Sequence, residues 1–183
     1  GIGAKTLFVS ESPIKTASAP EHPMGQKVIG QTQNKDIPVV KVIKQPFQNV
    51  NDIQQVLISK DNFHMGCTTE FSAECLADEF PSHSVRLTKD YYIMTHEVTQ
   101  DLYRKVMKVT PSQFGQCGSD CPVENISWVT STTFANRLSE YNGLEQCYTI
   151  DGLNVTWDKE FDCLGWRLPT EAEWELASRG IKG

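Results

Sequence analysis

No apolar run in this chain approaches the roughly 20 residues that a membrane-spanning helix needs, and this excludes a helical membrane span. Charge of one sign is not gathered anywhere. The formal net charge is -6, with acidic and basic residues interspersed. That argues against the basic face required by a nucleic-acid partner. No pair of cysteines is spaced C-x-x-C and no histidine stands at zinc-finger spacing, so a structural zinc cluster is not expected. His64 and His83 have no nucleophile and carboxylate near them in sequence, which leaves a Ser/His/Asp triad unsupported. The first residues, Gly1-Ile2-Gly3, lack both the charged start and the apolar core of a secretory signal. There is no internal repeat.

What is present fits one domain and a tail. The 183 residues are 39% hydrophobic, compatible with a packed core. Residues 1–52 are rich in Lys, Gln, Ser, Pro and Val without lasting periodicity, and read as an extended arm or linker. Within them, residues 37–43 have the composition of a short edge strand, where proline is tolerated. The globular part, residues 53–183, opens with strands at residues 56–58 and 63–66, followed by strands at residues 85–87 and 91–94. Thr99 suits the cap of a helix running to about Met107, with Leu102, Tyr103 and Val106 facing inward. Ser127 or Thr130 starts a second helix, on which Phe134, Leu138 and Tyr141 recur at helical spacing before Gly143. Asp151-Gly152 marks a hairpin between residues 147–150 and 155–157.

Six cysteines fall in close pairs: Cys67 with Cys75, Cys117 with Cys121, and Cys147 with Cys163. Neighbour pairing is the expectation, although six cysteines allow 15 connectivities. Disulfides imply an oxidising compartment, so the protein is expected to be secreted, periplasmic or on the cell surface. Asn125-Ile126-Ser127 and Asn154-Val155-Thr156 have the glycosylation acceptor pattern, which matters only in a eukaryotic source.

The densest signal lies at Arg167-Leu168-Pro169-Thr170-Glu171-Ala172-Glu173-Trp174-Glu175, ending at Arg179-Gly180. Pro169 fixes φ at the helix entrance, and Thr170 with Glu173 three residues on forms a capping box. Glu171, Glu173 and Glu175 stand at the positive end of the helix dipole, and read as solvated dipole partners rather than acid/base groups. Trp174 shares a face with Ala177, and Gly180 suits the position after the helix. Arg167 reads as a buried ion-pair partner of Glu173 or Glu97. The acidic stretch Glu70, Glu74, Asp78 and Glu79 does not match an EF-hand, and reads as a solvated loop.

This wording resembles the R-L-P-T-E-A-E-W-E-x-A-x-R-G signature of the formylglycine-generating enzyme family, also called the sulfatase-modifying-factor domain. Asp78-Glu79-Phe80-Pro81 is similar to that family's D-E-x-P loop. Tyr92-Ile93 through Glu97-Val98-Thr99 and Tyr103 resembles its F-Y-I…E-V-T…Y segment. Pro122-Val123 with Ile126-Ser127-Trp128 resembles its P-V-x-x-V-S-W. Asn136 falls where many relatives carry Asn. The resemblance covers about residues 56–180, with Ser59 and Asp61 replacing a usual Pro and Gly.

The resemblance implies an α+β fold similar to C-type lectins, an irregular mixed sheet with packed helices, expected to be incomplete at its C-terminus. Members of the family include oxidases that convert a sulfatase cysteine to formylglycine with oxygen and a copper ion held by a cysteine pair. Others are sulfoxide synthases, or non-catalytic binding and scaffold domains. The family's catalytic cysteines, calcium loops and later motifs follow the signature helix, and are not among these 183 residues. No catalytic or metal-binding role is therefore carried onto any residue here. Copper and calcium are expected only if the C-terminal half is supplied. Half a core leaves inner faces wet, so Trp128, Trp157, Trp166 and Trp174 need further packing surface. The remaining half is supplied by another chain or has been lost, or disulfides support a reduced fold. A binding or scaffold module is the first expectation, with a protein partner (the C-terminal half, an assembly partner or a sulfatase-like peptide) and with a glycan also compatible. A fragment of the sulfatase-modifying oxidase is the second. A sulfoxide synthase is weakest, because its His-rich upstream domain is not seen.

Overall fold

In the computed structural model, residues 8–10, 42–43, 53–67 and 75–180 are described. The main sheet contains β1 (Val9–Ser10), β2 (Val42–Ile43), β3 (Gln55–Ile58) and β6 (Tyr91–Met94), in the order β1-β6-β3-β2. All of its pairings are antiparallel, with Val56 opposite Ile93 and Val9 opposite Ile93 on the other side. Two stretches before Ile53 therefore belong to this sheet. Phe8, Val9 and Ser10 are fully buried there, which the polar, proline-rich composition around them did not indicate. The other residues of the expected strand at 37–43 lie outside the described residues.

A two-stranded ribbon, β4 (Asn62–Met65) with β5 (His83–Arg86), and a hairpin, β7 (Thr149–Asp151) with β8 (Asn154–Thr156), flank the sheet. Three helices complete the described fold: α1 (Gln100–Met107), α2 (Trp128–Tyr141) and α3 (Glu171–Arg179). Each begins on a hydroxyl cap. Thr99 Oγ1 accepts from the Leu102 amide, Ser127 Oγ from Thr130, and Thr170 Oγ1 from Glu173.

The larger core lies between α1, α2 and the chain around Trp166. Phe8, Tyr103 and Phe134 meet there, with Phe134 5.1 Å from Phe8 and 5.3 Å from Tyr103 between ring centroids. The smaller core places Leu176 of α3 on Ile58, Tyr91 and Ile93 of the sheet. The tryptophans divide: Trp166 is sealed, Trp157 and Trp174 are half-buried, and Trp128 is 57% exposed.

The inward face of α2 differs from the expected one. Leu138 and Phe134 are buried, but Tyr141 is 44% exposed. The buried stripe instead carries Ser131, Thr132, Asn136 and Ser139. Each of these polar groups is buried with a partner, as such burial requires. Ser131 and Thr132 donate to carbonyls of the preceding turn. Asn136 Nδ2 donates to the Tyr148 carbonyl at 2.7 Å, and the Tyr148 amide donates back to Asn136 Oδ1 at 3.0 Å. Asn136 thus stitches the helix to the strand entering β7.

Candidate functional site

The signature segment is drawn inward. Arg167 and Glu173 form a two-pronged ion pair, with Nη1 donating to Oε2 at 2.7 Å and Nη2 to Oε1 at 2.6 Å. Their side chains are 0% and 5% exposed. The Arg167 guanidinium also lies 5.3 Å from the Trp157 ring and 5.2 Å from the Phe161 ring. Burial of a charge is tolerated only when it is paired and its remaining donors and acceptors are occupied. Here the Thr170 amide donates to Glu173 Oε2 at 2.8 Å and the Thr170 hydroxyl does so at 3.1 Å. Glu173 is therefore a sealed anchor, which corrects its reading as a solvated dipole partner. The Arg167 partner is Glu173, while Glu97 is half-buried elsewhere.

The neighbours of this pair tie three segments together. The Arg167 main chain exchanges both hydrogen bonds with Val9 of β1, at 2.8 and 2.9 Å. The Tyr91 hydroxyl donates to the Glu173 carbonyl at 2.7 Å, and burial pushes its phenol pKa up strongly, reinforced by the Glu173 charge. The Tyr148 hydroxyl accepts from the Leu168 amide at 3.0 Å, and its pKa is also raised by burial. Glu175, also expected in solvent, is half-buried and accepts from the Gly66 amide at 2.8 Å and from Arg179 at 2.5 Å. Glu171 is exposed, and Trp174, Leu168 and Pro169 are half-buried. Gly180, at φ 63°, ends α3 in a conformation that favours glycine.

The six sulfurs form three disulfides, Cys67–Cys75, Cys117–Cys121 and Cys147–Cys163. Cys147 and Cys163 are buried in the same core as Trp166. The Cys117–Cys121 loop caps α1 from outside: the Gln100 amide donates to the Cys121 carbonyl at 2.8 Å and the Asp101 amide to the Ser119 carbonyl at 3.0 Å. A copper centre on a cysteine pair needs accessible thiolates. The Cys147–Cys163 pair is sealed, every cysteine sulfur is bonded to another, and no three His, Cys, Asp or Glu groups converge among the described residues. This donor set does not fit the metal, and no oxidative step is assigned to it. His64 and His83 lie exposed on β4 and β5. Of the acidic stretch, Asp78 and Glu79 form a tight exposed turn, and Glu70 and Glu74 lie outside the described residues.

Sequence reasoning missed the open face of α2. Arg137 and Glu140 separate two shallow depressions, one against the end of α1 and one against β7. Large apolar side chains also stand in solvent, including Leu153 at the β7–β8 tip and Phe161 and Leu164 beyond it. Tyr141 held the only signal: read as core, it lines one of the depressions.

Small antiparallel sheets, three packed helices and a buried arginine–glutamate clamp define an α+β domain of the C-type-lectin-like class. Residues 40–183 match the family model of the sulfatase-modifying factor enzyme 1-like domain, and the chain belongs to that family. A relative from Paenibacillus barcinonensis named "Chaperone protein LppX" is 36% identical, over 50% of this chain and 36% of its own. Among solved structures, the fold is similar to Treponema denticola variable protein 1, with a TM-score of 0.59 and 31% identity. That match covers 80% of this chain and 58% of the other. The chain thus spans little more than a third of the curated relative and under two thirds of the structural one.

Proposed function

We propose that this chain is a binding or scaffold module of the family, working in an oxidising compartment outside the cytoplasm and engaging a protein partner. One observation carries the reading. The reactive groups of the signature are committed to one another inside the domain, while Leu153, Phe161 and Leu164 face solvent. Exposed apolar side chains of this size support association where they gather into one patch. Three disulfides suit export, and no helix among the described residues is long and apolar enough to cross a membrane. The name of the Paenibacillus relative, a chaperone protein, agrees with a protein partner. That partner is an assembly subunit or further sequence of the same domain family.

The rival is an oxidase that converts a cysteine of a sulfatase-like peptide to formylglycine, favoured by the family's own description. Its copper and calcium would be held by residues other than these. A paired assay separates the two. The chain is incubated with copper, oxygen and a Cys-x-Pro-x-Arg peptide, and aldehyde is trapped with a hydrazide. In parallel, its suppression of light scattering by a heat-unfolded test protein is followed. Suppression without aldehyde is expected, whereas aldehyde formation by these 183 residues would overturn the module reading.

A further inference from the structure

Although the chain is acidic as a whole, with 23 acidic against 17 basic residues, one face is not. The outer side of α1 and the adjoining side of α2 carry Arg104, Lys105, Lys108 and Arg137. Among the described residues of these two helix faces the carboxylates are Asp101 and Glu140. Asp101 is shared by Arg104 at 2.6 Å and Lys105 at 2.8 Å. Glu140 accepts from the Gln146 side-chain amide. The Arg137 guanidinium has no hydrogen bond or ion pair with any described residue. Four cations against two occupied carboxylates leave this face positive.

The shape of the face follows from the helix ends. Lys108 closes α1 in the left-handed conformation, at φ 63°, where glycine would be easier. Its amide still donates to the Arg104 carbonyl, and its ammonium lies 5.8 Å from the centre of the Tyr141 ring. Between Lys108 and Arg137 lies an open depression of about 430 Å³, floored by Val106 and walled by Tyr141 and Glu140. A second of about 430 Å³ continues past Arg137 towards Gln146 and Thr149. Together they form a trough with a cation at its middle, a cation at one end and an aromatic wall.

We propose that this trough binds an acidic segment of a partner polypeptide. A carboxylate is gripped between Arg137 and Lys108, and the next side chain along lies on the Tyr141 ring. Arginine offers a carboxylate two parallel donors, which a point charge cannot. The apolar wall beside the cations favours a peptide alternating acidic and aliphatic residues over a uniformly charged polymer. The proposal rests on the module reading and names the chemistry of one partner segment.

The test uses the whole chain with a fluorescent peptide, acetyl-Asp-Leu-Glu-Leu-Asp-Glu, and its Asn/Gln counterpart, read by anisotropy at low and high salt. The acidic peptide should bind, more weakly as salt rises, and the amide counterpart should not. Arg137→Gln should weaken binding about tenfold, the loss expected for one charge-assisted contact. Lys108→Gly should weaken binding comparably without lowering the melting temperature, because glycine accepts that backbone conformation. This variant separates ligand binding from any structural duty of Lys108. Equal binding of the amide peptide, indifference to both substitutions, or binding of polygalacturonate in place of the peptide would each overturn the proposal. Loss of peptide binding by Arg137→Gln with suppression of test-protein aggregation retained is the supporting pattern. Suppression retained by a native chain that ignores the peptide removes the trough and leaves the module reading standing.

Discussion

Arg167 and Glu173 face each other through two hydrogen bonds of 2.7 and 2.6 Å in a site closed to solvent. The same carboxylate caps the helix that carries it, through Thr170. One side chain therefore fixes the start of α3 and neutralises the arginine whose backbone holds β1. Glu173→Gln leaves the guanidinium without its counter-charge, and is expected to destabilise by about 3–5 kcal/mol. Urea titration followed by tryptophan fluorescence measures this. A loss below about 1 kcal/mol would mean that water reaches the pair.

Gly165 is held by space rather than by backbone angle. A Cβ there would stand 1.9 Å from the Glu145 carbonyl oxygen and 2.8 Å from Ser139 Oγ, which accepts from the Trp166 amide. Gly165→Ala must push the segment before Trp166 outwards. The expected cost is about 2–4 kcal/mol, of the order seen for overpacked cores, read as a fall in the thermal midpoint.

Glu145 and Tyr91 contribute to the pH dependence of stability at opposite ends of the scale. Glu145 accepts from the Leu164 amide and from Lys159, and the Leu164 bond first, then Lys159, holds its carboxyl below the ordinary value of 4.5. A depressed carboxyl contributes stability above its unfolded pKa, and this is lost as pH falls through the folded one. Glu145→Gln should flatten the acid limb of a stability–pH curve. Tyr91 behaves oppositely: its raised phenol contributes fully below pH 10.0, and the contribution is lost as pH climbs beyond that. Tyr91→Phe should weaken the alkaline decline.

The disulfides should yield to reductant in order of exposure. Cys117 is exposed and Cys121 half-buried, whereas Cys147 and Cys163 are sealed. Limited reduction and alkylation should label Cys117 and Cys121 first. Amide exchange at Gln100 and Asp101 should quicken in the same step, because that loop supplies their acceptors. Early labelling of Cys163 would contradict the packing around Trp166.

Much of the fold was legible because local chemistry and tertiary structure agree. Thr99 and Thr170 cap the helices they were expected to cap, and of Ser127 and Thr130 it is Ser127 that caps α2, since capping is decided within one turn. The strands at β3 and β6 show in their apolar runs, and the hairpin in Asp151-Gly152. What stayed hidden depends on distant partners. Asn136 and Ser139 look like a solvent face until Tyr148 and Trp166 arrive to bond them. Glu173 was legible as a partner of Thr170 and of Arg167, but its burial depends on Tyr91 of β6, which no local pattern supplies. Phe8 to Ser10 carry too short an apolar run to announce a strand. The trough at Arg137 needs two helices side by side, and neither shows it alone.

The bridge between Val9 and Arg167 joins segments that leave the ribosome far apart in time. Contacts so distant along the chain are slow to form and cannot guide early folding. β1 pairs with β6 through Val9 and Ser10, and the Arg167 main chain covers its other edge. Until Arg167 is made, that outer edge carries unpaired main-chain groups, the kind of surface that aggregation exploits in unfinished chains. A chain stalled before Arg167 would keep its first strand on the sheet but leave the far side of that strand bare.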